Sequence, residues 1–299
     1  MTFAMIQLVA FQLLLPAIFL FILWRGDFKS KLQWGIQVLA VAMYITWIVL
    51  SGRWDWLGYY LRYVWVVAAL VVFYFSWRSI RTLPMTAPLT RGQKWYTAID
   101  VFILLIFGLY NVFIFNSYTA KEEAIELSFP LKEGTYYVGH GGSHVQMNYH
   151  HAYLPQQYAL DIAKLNGFGT RANGLYPEDL EKYEIYGDQL YSPCSGEVTE
   201  QRDGLPDLTP PEADREHLEG NYVALACDGT DAILYIAHMQ EGSVAVQEGE
   251  RIEEGELIGR VGNSGNTSEP HLHIHAEREG EGVPLQFDGD FLVRNELVR

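Results

Sequence analysis

The segment His271-Leu272-His273-Ile274-His275 sets three imidazoles at a period of two. On a β-strand that period aims all three at one face, with Leu272 and Ile274 on the other. Two aliphatic side chains on one face match a core. Three imidazoles opposite them suit a metal site better than a solvated surface; a plain strand with incidental histidines is the competing reading. Neutral imidazole and carboxylate are zinc ligands, and a catalytic zinc keeps one of its four positions for water. A carboxylate is available in Asp161, which lies among Ala159, Leu160 and Ile162, shortly after His150-His151. An Asp in an apolar run is rarely buried alone, so a metal, a cation or a turn-capping role would account for it. His238 ends the apolar stretch that starts at Leu234. Taken alone, it reads as a core or rim histidine with satisfied hydrogen bonds.

Short extended elements are needed to carry these residues. Tyr136–Val138, Glu197–Thr199, Tyr222–Cys227, Ala232–Ala237, Leu257–Val261 and His271–Ala276 are β-prone runs. Turn-forming stretches separate them at Gly139–Gly142, Gly220-Asn221 and Gly262–Asn266. The spacing predicts an all-β domain rather than βαβ units. Asn166–Tyr186 interrupts the pattern and is expected to hold a short helix around Pro177–Glu184. Asp203–Leu218, with Pro206, Pro210 and Pro211, is expected to be a loop. No His-Glu-x-x-His helix, Gly-x-Ser-x-Gly elbow or Gly-Lys-Ser/Thr loop occurs. Those absences set aside zincin, serine-hydrolase and P-loop chemistry.

The first 116 residues read differently. Four apolar runs, Thr2–Trp24, Leu32–Leu50, Trp56–Trp77 and Tyr96–Asn116, span 19–23 residues each. That suffices to cross about 30 Å of hydrocarbon at about 1.5 Å per residue. Tryptophans mark the run ends, as in an aromatic belt, and Arg62 and Asp100 lie near ends where they can reach the interface. The runs lack the polar face of a soluble bundle. The loops after runs one and three carry seven Lys/Arg, against Arg53 and Arg62 around the loop after run two. The excess places those two loops in the cytoplasm and both termini outside. No Lys or Arg precedes Trp24, so run one is expected to be an uncleaved span rather than a signal peptide.

Charge divides at the same place. Residues 1–116 carry nine Lys/Arg and three Asp/Glu, net +6; the other 183 carry 12 and 33, net −21. The acidic part, which holds all nine histidines, is a poor nucleic-acid surface, and an aromatic content of 14% argues against disorder. Cys194 and Cys227 also lie there, in a disulfide-permissive compartment if the topology holds. An antiparallel pairing with Val198 opposite Val223 would bring the two cysteines together. A bridge is expected, with two separate buried thiols as the alternative.

The stretch Gly220–Glu277 resembles the lysostaphin- or LytM-type zinc endopeptidases, which cut peptide bonds in bacterial peptidoglycan. The matching features are His238-Met239, the Val246–Gly249 turn, Gly255–Gly262, an Asn/Ser/Gly turn and Pro270-His271-Leu272-His273. Upstream, Tyr186–Val198 fits the same pattern. The resemblance covers about residues 138–288. It implies an antiparallel-sheet, LytM-like fold with a duplicated hybrid motif. It also implies one Zn2+ per domain, held by His150, Asp161 and His273, with His271 and His238 as metal-free catalytic histidines. His150 and Asp161 are eleven apart, as in longer-loop members of the family, which leaves His151 as the competing ligand. His275 is additional, expected behind a ligand or at the strand end. His140, His144 and His217 have no match and read as surface or loop residues.

Such a site would have the zinc-bound water attack a scissile carbonyl, His271 acting as general base and His238 as donor to the oxyanion or leaving amine. These two roles could be exchanged. The expected organisation is a four-span region over 1–116, a linker over 117–127 and an extracytoplasmic zinc peptidase domain over 128–299. The expected setting is the bacterial cytoplasmic membrane, with peptidoglycan peptides and the lipid bilayer as partners, cell-wall or division proteins as further candidates, and no nucleic acid. Asn166–Tyr186 and Asp203–Leu218 would wall the substrate groove. Two rivals remain: a non-catalytic relative that binds the wall or activates a hydrolase, and a membrane sensor or transporter. Few ionisable residues lie at mid-depth in the runs, which weighs against transport.

Overall fold

A computed structural model describes residues 3–299. The chain falls into two units. One runs to Trp54 and resumes over Tyr60–Phe115; the other comprises Asp55–Tyr59 and Asn116–Arg299.

The first unit is helical. It contains α1 (Phe3–Val9), α2 (Leu15–Arg25), α3 (Lys31–Ser51), α4 (Leu61–Ile80) and α5 (Arg91–Asn116). A π-helical turn at Ala10–Leu14 joins α1 to α2 just before Pro16, which has no backbone N–H to donate. Four helical segments, Met5–Arg25, Lys31–Ser51, Leu61–Ile80 and Arg91–Asn116, are long and apolar enough to cross a membrane. They coincide with the four expected runs, except that Thr2 lies outside the described residues. The third run starts later than expected, at Leu61 rather than Trp56. Gly58 at φ +110° cannot continue a helix, and Asp55–Tyr59 belongs to the other unit. Leu23, Tyr44, Ile45, Ile48 and Trp54 form the interior of the bundle. Polar ties within it include Trp34 Nε1 to Ser76 Oγ at 3.0 Å and Asn111 Nδ2 to the Met43 carbonyl at 2.9 Å. Leu70, Phe102 and Leu105 point away from it and are exposed.

The second unit is built from strands β1 (Ile125–Leu127), β2 (Thr135–His140), β3 (Leu160–Leu165), β4 (Gln189–Tyr191), β5 (Gly196–Arg202), β6 (Asn221–Cys227), β7 (Ile233–Met239), β8 (Arg251–Ile252), β9 (Leu257–Arg260), β10 (Leu272–Arg278), β11 (Glu281–Val283), β12 (Leu285–Phe287) and β13 (Leu297–Val298). The main sheet has the order β13-β2-β3-β10-β7-β6-β5-β8, with β11 also on β10, and its neighbours are antiparallel. β4 pairs with β9, and β1 runs parallel to β12. All six expected strands are present, except that Ala232 precedes β7, Val261 follows β9 and His271 precedes β10. β1 falls within the residues expected as linker. The short helix expected in Asn166–Tyr186 is one 3-10 turn, Leu180–Lys182, capped by Asp179 accepting from Glu181 N–H.

Leu272 and Ile274 lie in the core with Ile162, Val223, Leu225 and Ile236, on the face opposite the histidines. Cys194 and Cys227 are bonded, with Cα atoms 5.7 Å apart. The register behind that expectation is different, however. Val198 pairs with Leu225, and Cys227 sits opposite Gly196. Gly196 is required there, because a Cβ would meet the Ala226 carbonyl. Cys194 reaches the bridge from just ahead of β5.

Candidate metal centre

Strand register assembles the site. β3 and β10 pair with Asp161 opposite His273, and β7 places Ala237 opposite the same residue from the other side. His238, next along β7 in a left-handed backbone conformation, has its ring 5.5 Å from that of His273. β10 is held by its pairings with β3 and β7 and by the packing of Leu272 and Ile274 in the core, and these place the imidazoles on the opposite side.

His150 comes from a 3-10 turn, Tyr149–Ala152. Asn148 caps that turn through Oδ1, which accepts from His150 N–H at 3.1 Å. Its Nδ2 donates to the carbonyls of Gly142 at 3.1 Å and Ala159 at 3.0 Å. Asn148 is fully buried and ties the His150 turn to the start of β3. His150 Nε2 lies 3.0 Å from Asp161 Oδ2, and His273 Nδ1 lies 2.8 Å from Asp161 Oδ1. The neighbouring His151 uses Nδ1 on the Gln157 carbonyl at 3.0 Å and faces away. Of the two adjacent histidines, His150 is the one at the site.

Two groups of potential ligand atoms share His273: His150, Asp161 and His273, and His238, His271 and His273. Within each, the atoms lie within 4.8 Å of one another. Ligands held at about 2.0–2.2 Å in a tetrahedron stand roughly 3.3–3.5 Å apart. In the first group Asp161 already meets both imidazoles, Oδ2 at 3.0 Å from His150 and Oδ1 at 2.8 Å from His273. Two imidazoles and one carboxylate are also the donor types zinc takes, so the residues fit it.

Behind the centre, His273 Nε2 is 3.1 Å from His275 Nδ1, and His275 Nε2 is 3.2 Å from Glu277 Oε1. The His275 ring stacks on Tyr235 at 5.0 Å with planes 9° apart. This period-two file of side chains along β10 fixes the His273 ring from its far side, as carboxylate partners do for metal-bound histidines.

The other two histidines stand together, ring centres 5.0 Å apart. His271 Nδ1 meets the Glu269 carbonyl at 2.8 Å, and Nε2 lies 3.4 Å from Asp161 Oδ1. His238 Nδ1 meets the Ser264 carbonyl at 2.9 Å. Each carbonyl can only accept, so each Nδ1 carries the hydrogen and Nε2 faces the site with a lone pair when the ring is neutral. His238 also adopts φ +61°, a left-handed conformation that is costly for a non-glycine residue. Flanking backbone bonds hold it there: His238 N–H donates to Glu219 and its carbonyl accepts from Gly262 N–H.

Burial lowers the His238 pKa well below the usual imidazole range and brings His273 down to about 3. Burial also pulls His271 down, but the Asp161 charge and hydrogen bond outweigh it and raise the net value. For Asp161, burial alone would raise the carboxyl; the adjacent His150 and His271 hold it well below the usual range.

His140, expected on the surface, ends β2 with its ring 5.8 Å from His150. Its Nδ1 accepts from Tyr149 N–H at 3.0 Å, and the β2–β3 register shift brings it opposite Asp161. His217 pairs with Asp214 at 2.8 Å in the Asp203–Leu218 loop. His144 takes a backbone N–H from Gln146 on Nδ1. Both interrupting loops bind the turn that precedes β10. From the second loop, Asn263 and Leu208 exchange backbone and side-chain bonds, and Asp214 N–H donates to Gly265. From the first, Tyr176 OH donates to the Ser268 carbonyl at 2.9 Å.

Residues 182–285 match Peptidase family M23. The matched segment contains His238, His271 and His273 and begins after His150 and Asp161. Among solved structures, a putative peptidase M23 from Pseudomonas aeruginosa is 18% identical over 42% of this chain and 40% of its own, with a TM-score of 0.27. A zinc-containing peptidase from Vibrio cholerae is 18% identical over 42% of this chain and 48% of its own, TM-score 0.26. The catalytic domain of lysostaphin from Staphylococcus simulans is 21% identical over 34% of this chain and 72% of its own, TM-score 0.23. The chain spans less than half the length of the first solved structures it matches. Among curated proteins nothing matches it.

Proposed function

We propose that this chain, whose residues 182–285 match Peptidase family M23, is a membrane-anchored zinc endopeptidase that hydrolyses peptide bonds in bacterial peptidoglycan. The observation that carries the reading is the pair of ligand-type groups sharing His273. His150, Asp161 and His273 would hold the ion. Zinc in such a site supplies Lewis-acid polarisation of the scissile carbonyl and lowers the pKa of a bound water.

His271 is the proposed general base. Its Nδ1–H is committed to Glu269, so Nε2 is the nitrogen that takes a proton, and a pKa raised from the usual value suits a base near neutral pH. The geometry suits His238 less well as a donor. Neutral His238 presents a lone pair at Nε2, and burial opposes the imidazolium that donation would need. As an acceptor it would orient the second hydrogen of the attacking water. The four apolar helices are proposed to span the cytoplasmic membrane. Their basic loops would lie inside and the acidic domain outside.

Metal analysis of the purified full-length chain and digestion of isolated cell wall test the reading. Wild type should carry one zinc and release wall peptides. His273→Ala should lose both metal and activity; His271→Ala should keep the metal and lose activity. Hydrolysis by metal-free wild type overturns the zinc mechanism. Zinc without hydrolysis leaves a wall-binding or hydrolase-activating protein.

A further inference from the structure

His271 is held by the Glu269 backbone carbonyl, which also accepts from the Thr267 hydroxyl at 2.8 Å, and what holds the Glu269 carboxylate lies outside the matched segment. Glu269 offers its carbonyl to the His271 ring while its carboxylate turns into the interior, 7% exposed. There Arg171 donates from Nε at 2.7 Å and from Nη2 at 2.5 Å to Glu269 Oε2. Arg171 is 2% exposed, and a second fully buried carboxylate, Asp55, stands 3.8 Å from its Nε. Trp56 covers the guanidinium at 3.9 Å and stacks on Tyr176, which bonds the adjacent Ser268 carbonyl. Backbone bonds complete the seat: Arg171 N–H donates to the Asp55 carbonyl at 3.0 Å and Tyr59 N–H to Gly169 at 2.8 Å. Gly58 at φ +110° lets the segment turn between them.

A buried guanidinium between two carboxylates is a weak source of stability, since apolar replacements of similar volume often do as well. It does, however, fix direction: a planar fork on Glu269 sets the course of the turn that carries His271. We propose that Asp55–Tyr59, the segment joining the second and third apolar helices, is a positioning element of the hydrolytic site. Asp55 and Trp56 orient Arg171, Arg171 fixes Glu269, and the Glu269 carbonyl aims the His271 ring. The inference rests on the peptidase reading. It gives the connection between two apolar helices a second role, as the strap that completes the site.

The test uses the full-length chain in detergent, loaded with zinc, acting on purified peptidoglycan. Asp55→Asn preserves shape and removes one charge; Trp56→Phe keeps an aromatic ring of smaller area; Arg171→Lys keeps the charge without the fork. Each should retain zinc and KM while kcat falls about tenfold, because small misplacement of a reacting group is costly. Arg171→Met should lose more than Arg171→Lys. Wild-type kcat per bound zinc in all four variants overturns the proposal. So does a loss seen wholly in zinc content or KM, which would assign the cluster to stability alone. A wild type that neither binds zinc nor cuts the wall overturns the peptidase reading and the proposal with it, whereas active wild type with active variants overturns only the proposal.

Discussion

The two units solve opposite problems with the same kinds of residue. In the helical unit, large apolar side chains lie outside: Leu105 is 66% exposed and only 11% of the apolar stretch of its helix is buried. In the β unit, Leu272 and Ile274 are wholly buried, and polar groups gather at one edge of the core. Apolar surface turned outward suits a lipid surrounding, where it costs nothing; in water it would demand cover. Helix identity is thus set by composition, whereas the β unit is set by which residue meets which across the sheet.

Metal removal should separate the units most sharply. Chelation of the purified full chain should bring wall hydrolysis to background, and added zinc should restore it, while far-ultraviolet circular dichroism of the helices stays unchanged. Loss of helical signal on chelation would show that the metal holds the whole chain together rather than the β unit alone.

A single core truncation should sharpen the contrast. Ile274→Ala removes a buried side chain from β10, the strand that carries His273, and should destabilise the β unit by about 2–5 kcal/mol. Leu105→Ala, on an exposed helix face, should cost less than about 0.5 kcal/mol in urea unfolding of the detergent-solubilised chain. Comparable costs at both positions would mean that the helix face is covered by protein.

How much of this was legible follows the same division. The four helices were readable because hydropathy needs no partner. The His271–His275 file was readable because a period of two is local. Asp161 stood out because a carboxylate in an apolar run calls for a partner. What stayed hidden depends on distant residues. The Val198–Leu225 register could not be read from residue indices, because nothing local to either strand fixes which β6 residue meets Val198. Trp56–Tyr60 is apolar enough to resemble the start of a span, yet Tyr59 packs on Tyr137 and Leu165 in the β unit. Asn148, Arg171 and Glu269 carry no local pattern at all. Only an Arg–carboxylate pair with no nearby sequence partner could have hinted at the last two. The φ +61° of His238 likewise follows from the bonds that hold it, not from its neighbours in sequence.

A further effect is expected on the acid stability of the metal-free β unit. Unfolded histidine titrates near about 6.5. Burial keeps folded His273 at about 3 and His238 well below its usual value. As pH falls below about 6.5, the unfolded chain takes up protons there that the folded chain refuses, so stability present at neutral pH is lost. His271 contributes with the opposite sign. Its folded pKa is raised, so its contribution is full below about 6.5 and fades as pH rises through the raised value. Asp161, held low, matters only below about pH 4, where unfolded carboxylates begin to protonate. Two depressed imidazoles against one raised one predict a net loss between about pH 7 and pH 5. Region-resolved hydrogen exchange on chelated protein should show that loss in β3, β7 and β10 and not in the helices. Protection that holds steady or grows on acidification would mean that these imidazoles accept protons in the folded chain, and that the metal, rather than the fold, keeps them neutral.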